Sequence, residues 1–313
     1  MESHELLERQ KWTLDQKIDH TFGVIDQYYN KLNGRVYVSF SGGKDSTVLL
    51  WLTRQIFPDV RACFCNTRNE YPSIVQFVRR IKEEWGGVDI IYPELTPKEV
   101  IAKYGFPVIS KQTAAQINTC KHRSESVSAE RVLNTSDTKY RLPFIYRGLI
   151  GKEYDISNKC CLYLKEKPLH EYALENKLSP IVGTMASESI LRTSAYLKAG
   201  GCNTFNNRDK RKQVSRPLSI WNDEDVLVCI DKYNIPIATI YDDLKRTGCM
   251  FCGFGCTISG DHRFEYLLRK YPKMYNAFMN YTNNGITYRQ CLKDVLSLKK
   301  MSLPDDNDEL TLF

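Results

Sequence analysis

The stretch VYVSFSGGKDSTVLLWL, Val36 to Leu52, runs from strand formers through a Ser-Gly-Gly turn into an apolar, helix-like pattern. Glycine after a strand lets the backbone turn tightly and approach a ligand closely. The start of a helix offers unpaired N–H groups and a partial positive charge. Together these make a phosphate cradle, to which Ser41 and Ser46 add hydroxyls and Lys44 adds charge. The pattern is not Walker A, G-x-x-x-x-G-K-[ST]: Val38 stands at the first glycine position and Asp45 follows the lysine. It is not G-x-G-x-x-G either. The plain alternative is a glycine-rich strand-to-helix turn that binds nothing.

Outward from this loop, strand signals at 35–40, 60–66 and 88–92 alternate with helical patterns near 45–57 and 71–85. Such alternation predicts βαβ units and a parallel sheet. Further strands are expected at 179–184 and near 214–218, and a helix from Asp223. Leu7, Leu14, Ile18, Phe22, Ile25, Tyr29 and Leu32 recur at helical spacing and predict one long N-terminal helix ended by Asn33-Gly34. Residues 262–300 read as helical with a break at Pro272, while 111–160 give no clear pattern. The expectation is a doubly wound α/β fold in three parts: an N-terminal helix (1–33), a nucleotide-binding α/β domain (34–245), and a C-terminal segment with helices (246–313). A nucleotide belongs at the carboxyl ends of the strands, at the topological switch point.

The 313 residues are 42% hydrophobic, enough for a sizeable core, and no run approaches the roughly 20 apolar residues that span a bilayer. The polar start MESHELLERQKW has no apolar signal region. A soluble, cytoplasmic protein without membrane partners is expected. The net charge of +7 is a mild bias toward anionic partners.

Eleven cysteines fall into two classes. Cys63, Cys65 and Cys229 sit in apolar runs and read as core. Two tight clusters need another account: NKCCLYLKEKPL, with Cys160 and Cys161, and KRTGCMFCGFGC, with Cys249, Cys252 and Cys256. Two thiolates from each segment can enclose one metal centre, and four Cys ligands suit zinc or an iron–sulfur cluster alike. Reduced, unliganded cysteines are the plain alternative.

On these residues a family resemblance becomes specific. Ser-Gly-Gly-x-Asp-Ser resembles the PP-loop of the adenine nucleotide α-hydrolase group, which holds the phosphates of an adenine nucleotide or the sulfate end of an adenylyl sulfate. Cys-Cys-x-x-x-Lys-x-x-Pro-Leu followed by a distant Cys-x-x-Cys resembles the [4Fe-4S] adenylyl-sulfate reductases of the phosphoadenosine phosphosulfate (PAPS) reductase family. NTRNEYP (66–72), GTMASESILR (183–192) and RPLSIWNDEDV (216–226) are similar to three further segments of that family, with Asn66 and Arg68 in place of its usual Asp and Gly. The resemblance implies Cys160, Cys161, Cys249 and Cys252 as cluster ligands, with Cys256 as a substitute for one of the tandem pair. It implies Ser41, Gly42, Gly43, Lys44, Asp45 and Ser46 as the nucleotide site, Asp45 fixing the loop or helping to hold Mg²⁺. Glu188 and Arg192, four apart on an expected helix, are either a surface pair or, with Lys44 and Asp45, catalytic groups beside the nucleotide.

Assimilatory reductases of the family carry a C-terminal Glu-Cys-Gly-x-His motif whose thiol attacks the sulfate sulfur and which thioredoxin resolves. After Cys256 this chain has only Cys291, in YRQCLKDV. A related branch includes DNA-phosphorothioation sulfurtransferases, and cluster-bearing tRNA thiolases share its logic. There ATP is split between its α and β phosphates, an acceptor oxygen is adenylylated, and sulfur replaces AMP. That branch implies a DNA or tRNA acceptor and a cysteine desulfurase as sulfur source. Lys121 and Arg123 in KHR, and Lys210, Arg211 and Lys212 in RDKRKQVSR, are candidate phosphate contacts or simply solvated basic loops. The leading expectation is ATP-dependent sulfur transfer. The alternatives are an adenylyl-sulfate or PAPS reductase making sulfite, and a nucleotide-binding regulator without catalysis.

Overall fold

The computed structural model describes residues 3–138, 140–206 and 213–306. Its strands are β1 (Val36–Ser39), β2 (Arg61–Cys65), β3 (Val88–Ile91), β4 (Val108–Ile109), β5 (Ser179–Val182), β6 (Asn203–Thr204), β7 (Val214–Ser215), β8 (Gly253–Phe254), β9 (Thr282–Asn283) and β10 (Ile286–Thr287). The chain divides into two compact units: Met1–Asn66, Glu70–Tyr92 and Lys167–Thr247 make the first, Thr67–Asn69, Pro93–Glu166 and Gly248–Phe313 the second. The partition expected from sequence is contiguous, whereas both units interleave along the chain. Residues 93–166 fall with the C-terminal segment.

The first unit is the α/β layer structure that the alternation predicts. Its six strands run in the order β3-β2-β1-β5-β7-β6. All neighbours are parallel except β6 against β7. Val36, Tyr37 and Val38 of β1 are all buried, as expected of a central parallel strand covered on both faces. The chain leaves β1 toward β2 and β3 on one side and returns to β5 on the other. The switch point therefore lies between the carboxyl ends of β1 and β5, where SGGKDS and GTMASES begin.

The N-terminal segment forms two helices, Ser3–Gln10 and Leu14–Lys31, rather than the single one expected. Thr13 is the reason. Its hydroxyl accepts the Gln16 N–H at 3.3 Å, and Gln16 Oε1 accepts the Thr13 N–H at 2.9 Å, a capping box that starts a fresh helix. Leu7 is consequently exposed and Leu6 buried. The segment RPLSIWNDEDV supports this second helix from beneath. Trp221, fully buried, donates its indole N–H to Thr21 Oγ1 at 3.0 Å. Asp225 accepts from the buried Lys17 at 2.6 Å.

The second unit is mainly helical. Helix Pro97–Tyr104 precedes the stretch 111–160 that shows no clear pattern in the sequence, and helices Lys111–His122 and Val127–Asn134 occupy part of it. A parallel pair, β4 with β8, joins Val108–Ile109 to Gly253–Phe254. The C-terminal region breaks at Pro272 as read, into Arg263–Lys270 and Pro272–Met279. It then makes a β9–β10 hairpin before the helix Tyr288–Ser297. Asn284 and Gly285 at the hairpin turn both have positive φ, 49° and 82°, the backbone that Asn-Gly favours. Among the described residues no helix is long and apolar enough to cross a membrane.

Candidate functional site

In the first unit, Gly42 has φ +72°, and a Cβ there would lie 2.7 Å from Val78 Cγ2 and 2.9 Å from Ile74 Cγ2. Only glycine fits this turn without strain. Gly43 caps the helix Lys44–Ile56 with no side chain of its own. The two serines brace the loop from inside. Ser46 Oγ donates to the Gly43 carbonyl at 2.9 Å and accepts the Ser41 N–H at 3.1 Å. The two hydroxyls are 3.0 Å apart, and the Gly43 N–H donates to Ser41 Oγ at 3.3 Å. A Cβ on Gly183, after β5, would stand 3.2 Å from the Asp45 carbonyl oxygen, so that turn runs close against the helix start.

Lys44 is buried at 4% exposure, with Nζ 2.8 Å from Asp223 Oδ1 and 3.2 Å from Asp45 Oδ1. Burial works to lower its pKa, but the hydrogen bond to Asp223 and the charges of Asp45 and Asp223 outweigh it and hold the ammonium above its usual value. Arg246 pairs with Asp223 and comes within 3.5 Å of Glu188 Oε1. Asp223 is held below the ordinary carboxylate range: burial opposes its charge, and Arg246 and Lys44 overcome that. Glu188 also pairs with Arg192. These two do not share a helix as expected. Glu188 closes the short turn Ala186–Glu188, and the extended Ser189 caps a new helix, Ile190–Ala199. Lys44, Asp45, Glu188 and Arg192 nevertheless join one charged group beside the loop, linked through Asp223 and Arg246. The sequence reading missed Asp223, Tyr241, Arg246 and Thr247. Tyr241 Oη accepts the Lys44 backbone N–H at 3.0 Å and stands 2.9 Å from Thr247 Oγ1.

In the second unit, Cys160 and Cys161 end the short helix Lys159–Cys161, directly before a π turn over Leu162–Glu166. Such turns often accompany functional positions. Cys160 is buried against Val100 and Leu164. Burial pushes its thiol well above the usual value, and Cys249, Cys161 and Cys252 add to that push. The tandem pair and the Cys-x-x-Cys pair therefore share one neighbourhood. Burial raises the Cys256 thiol to about 11, Cys252 adds to that push, and Cys256 in turn weighs on Cys291 and Tyr288. Among the described residues, no three His, Cys, Asp or Glu side chains are grouped so as to hold a metal ion. Arg263 braces the Cys249–Cys256 turn: it donates to the Cys252 carbonyl at 2.7 Å and the Phe254 carbonyl at 2.9 Å. Arg68 has φ +60°, a left-handed conformation that a glycine adopts without strain.

Lys121 is tied down, its Nζ on the carbonyls of Lys152 (2.7 Å) and Tyr154 (2.8 Å) and on Asp155 Oδ1 (2.9 Å). It serves the fold and is not a loose basic side chain. Arg123 is exposed at the end of its helix. Lys210, Arg211 and Lys212 lie outside the described residues.

A model of the phosphoadenosine phosphosulfate reductase domain matches residues 35–139, which include the loop and β1 to β3. Over these residues the chain is similar to the PAPS reductase family. An adenosine 5'-phosphosulfate reductase of Staphylococcus haemolyticus is 22% identical over 242 residues, 76% of this chain and 78% of that protein. An adenosine 5'-phosphosulfate reductase of Staphylococcus epidermidis is 22% identical over 245 residues, 77% of this chain and 80% of that one. An uncharacterized protein of Methanocaldococcus jannaschii is 24% identical over 287 residues, 88% of this chain and 55% of its own length. Among solved structures, a PAPS reductase from Candida auris in phosphate complex aligns with TM-score 0.42 at 12% identity, over 77% of this chain and 92% of that one.

Proposed function

We propose that this protein binds an adenine nucleotide at Ser41–Ser46, cleaves ATP between its α and β phosphates, and uses the activation for sulfur transfer to a nucleic-acid acceptor. The observation that carries the choice over sulfite formation is the state of Cys291. It is fully buried, and burial raises its thiol well above the usual value. A reductase nucleophile has to be an accessible thiolate. Cys256, the other thiol near it, is also buried. The support for ATP is the convergence of Lys44, Arg192 and Arg246 beside the loop, a set of cations suited to a polyphosphate. Asp45 and Asp223 are the carboxylates that would hold Mg²⁺ against it.

In the same reading Cys160, Cys161, Cys249 and Cys252 hold a [4Fe-4S] cluster. The support for a cluster is the pairing of two Cys from each of two segments, a four-thiolate set that suits iron–sulfur as it suits zinc. When bound, the cluster would supply a site for sulfur or electrons. The chain's own part is to exclude water around Cys160 and fix the Cys252 turn through Arg263. The nucleic-acid acceptor rests on the net charge of +7 and the basic stretch at 208–216. A cysteine desulfurase is the sulfur source this reading requires. The 22% identity to adenosine 5'-phosphosulfate reductases favours the second reading, in which adenylyl sulfate or PAPS is reduced to sulfite with thioredoxin.

Binding assays test the loop. Wild type should bind ATP with Mg²⁺, and Gly43→Val, whose Cβ would come within 3.2 Å of Ser41 Oγ and Tyr241 Oη, should lose it while keeping its far-ultraviolet spectrum. Binding that survives in Gly43→Val would refute the site. For the acceptor, affinity for DNA or tRNA should fall steeply with salt. No binding to either at low salt would remove nucleic acid from the proposal.

A further inference from the structure

The amide that a phosphate needs most is already occupied. The Lys44 N–H, first in its helix, donates to Tyr241 Oη at 3.0 Å, and that hydroxyl is held by Thr247 Oγ1 at 2.9 Å. A single methyl-sized probe at Gly43 meets Tyr241 Oη and Ser41 Oγ, both at 3.2 Å. In this arrangement the Tyr241 hydroxyl takes the Lys44 N–H and also stands close to Gly43. The segment that carries Tyr241 and Thr247 is fastened by Arg246, between its two carboxylate partners Asp223 and Glu188. Asp223 bridges Arg246 to Lys44. The carboxylate thus sits between two cations that a polyphosphate would also seek.

We propose that Tyr241, Arg246 and Thr247 form a latch across the phosphate loop, which an incoming phosphate anion must displace. The Tyr241 hydroxyl fills the oxygen position at the helix start, and Asp223 fills the anion position between Lys44 and Arg246. An anion that takes the Lys44 N–H expels the phenol. The same anion competes with Asp223 for Arg246 and so loosens the fastening of the segment. Binding and opening are one event, and affinity is lowered by the work of opening. Burial keeps the Tyr241 phenol protonated and neutral, so it competes as a weak hydrogen-bond partner and yields to a charged one. This latch regulates the site assigned above and rests on that assignment.

The test uses the full chain, with inorganic pyrophosphate and Mg-ATP as probes. Tyr241→Phe keeps the ring and removes the hydroxyl. Its Lys44 amide should exchange with solvent about tenfold faster without any ligand, and it should bind both probes about fivefold more tightly, as expected for one competing hydrogen bond. Thr247→Val, which loosens the phenol without deleting it, should give a smaller gain. Unchanged or weaker binding by Tyr241→Phe, in a wild type that does bind, overturns the latch and leaves the loop assignment standing. Faster Lys44 exchange with no probe binding in either protein removes the loop assignment, and the latch with it.

Discussion

The Oδ1 of Asn69 accepts the backbone N–H of Phe251 at 3.2 Å. The main-chain carbonyl of Asn69 takes the neighbouring Met250 N–H at 2.6 Å. One buried asparagine, 182 positions away, thus fixes the turn between Cys249 and Cys252. Asn69→Ala would leave the buried Phe251 N–H without its acceptor, at a cost of about 1–3 kcal/mol. Chemical denaturation should show that loss, and iron retained after desalting should fall with it. Full stability and full iron in the variant would contradict this role.

The cluster assignment separates cysteines that share a family motif from those that fill the core. Anaerobic preparations should be brown with about four irons per chain. Cys160→Ala and Cys252→Ala should lose the iron, and the core variant Cys229→Ala should keep it. Cys256→Ala should cost stability through its buried packing while keeping the iron. Iron lost from Cys256→Ala but kept in Cys160→Ala or Cys161→Ala would redraw the ligand set. Stoichiometric zinc without iron would replace the cluster altogether.

Lys17 and Asp225 make a buried pair, at 2% and 13% side-chain exposure, that ties the helix Leu14–Lys31 to the start of Asp223–Tyr233. Removing one partner strands the other charge. Lys17→Met should therefore destabilise by about 3–5 kcal/mol. The double variant Lys17→Met with Asp225→Leu should recover part of the loss. A neutral single variant in urea titrations would show that the charge finds water.

The Lys44–Asp223 pair has a defined pH window. Asp223 has a lowered pKa, so its contribution is present above the unfolded carboxylate value near 4 and is lost as pH falls through the lower folded value. Lys44 has a raised pKa, so its contribution is present below the unfolded value near 10.4 and is lost as pH rises through the folded one. The stability difference between wild type and Asp223→Asn should stay flat from about pH 5 to about pH 9 and shrink below about pH 4. A difference that titrates near neutrality would mean another group holds Lys44.

The first unit was legible because its signals are local. β1 to β3 are short apolar runs bounded by turn residues, and the loop glycines announce a tight turn whatever lies around them. The helix Lys111–His122 was not legible, because it buries Thr113 and Gln116, and Gln116 donates to the distant Tyr140 carbonyl at 2.7 Å. Polar burial of that kind blurs hydrophobic periodicity. The β9–β10 hairpin is signalled by Asn284-Gly285, a turn pair set inside a stretch whose apolar spacing is helical. Tyr241, Asp223 and Arg246 carry no motif of their own. Their place at the loop depends on the switch-point topology, which linear spacing does not encode. The split of the long N-terminal helix was written in Thr13 and Gln16, at capping-box spacing.

The most direct test of the central claim is a phosphorus NMR time course of reduced, iron-loaded protein with Mg-ATP, a sulfur donor and nucleic acid. The account predicts AMP and pyrophosphate in equal amounts, dependent on the acceptor and absent in Gly43→Val. ADP with orthophosphate would contradict cleavage between the α and β phosphates. An inert ATP signal beside sulfite formed from adenylyl sulfate and thioredoxin would contradict sulfur transfer and make the protein a reductase.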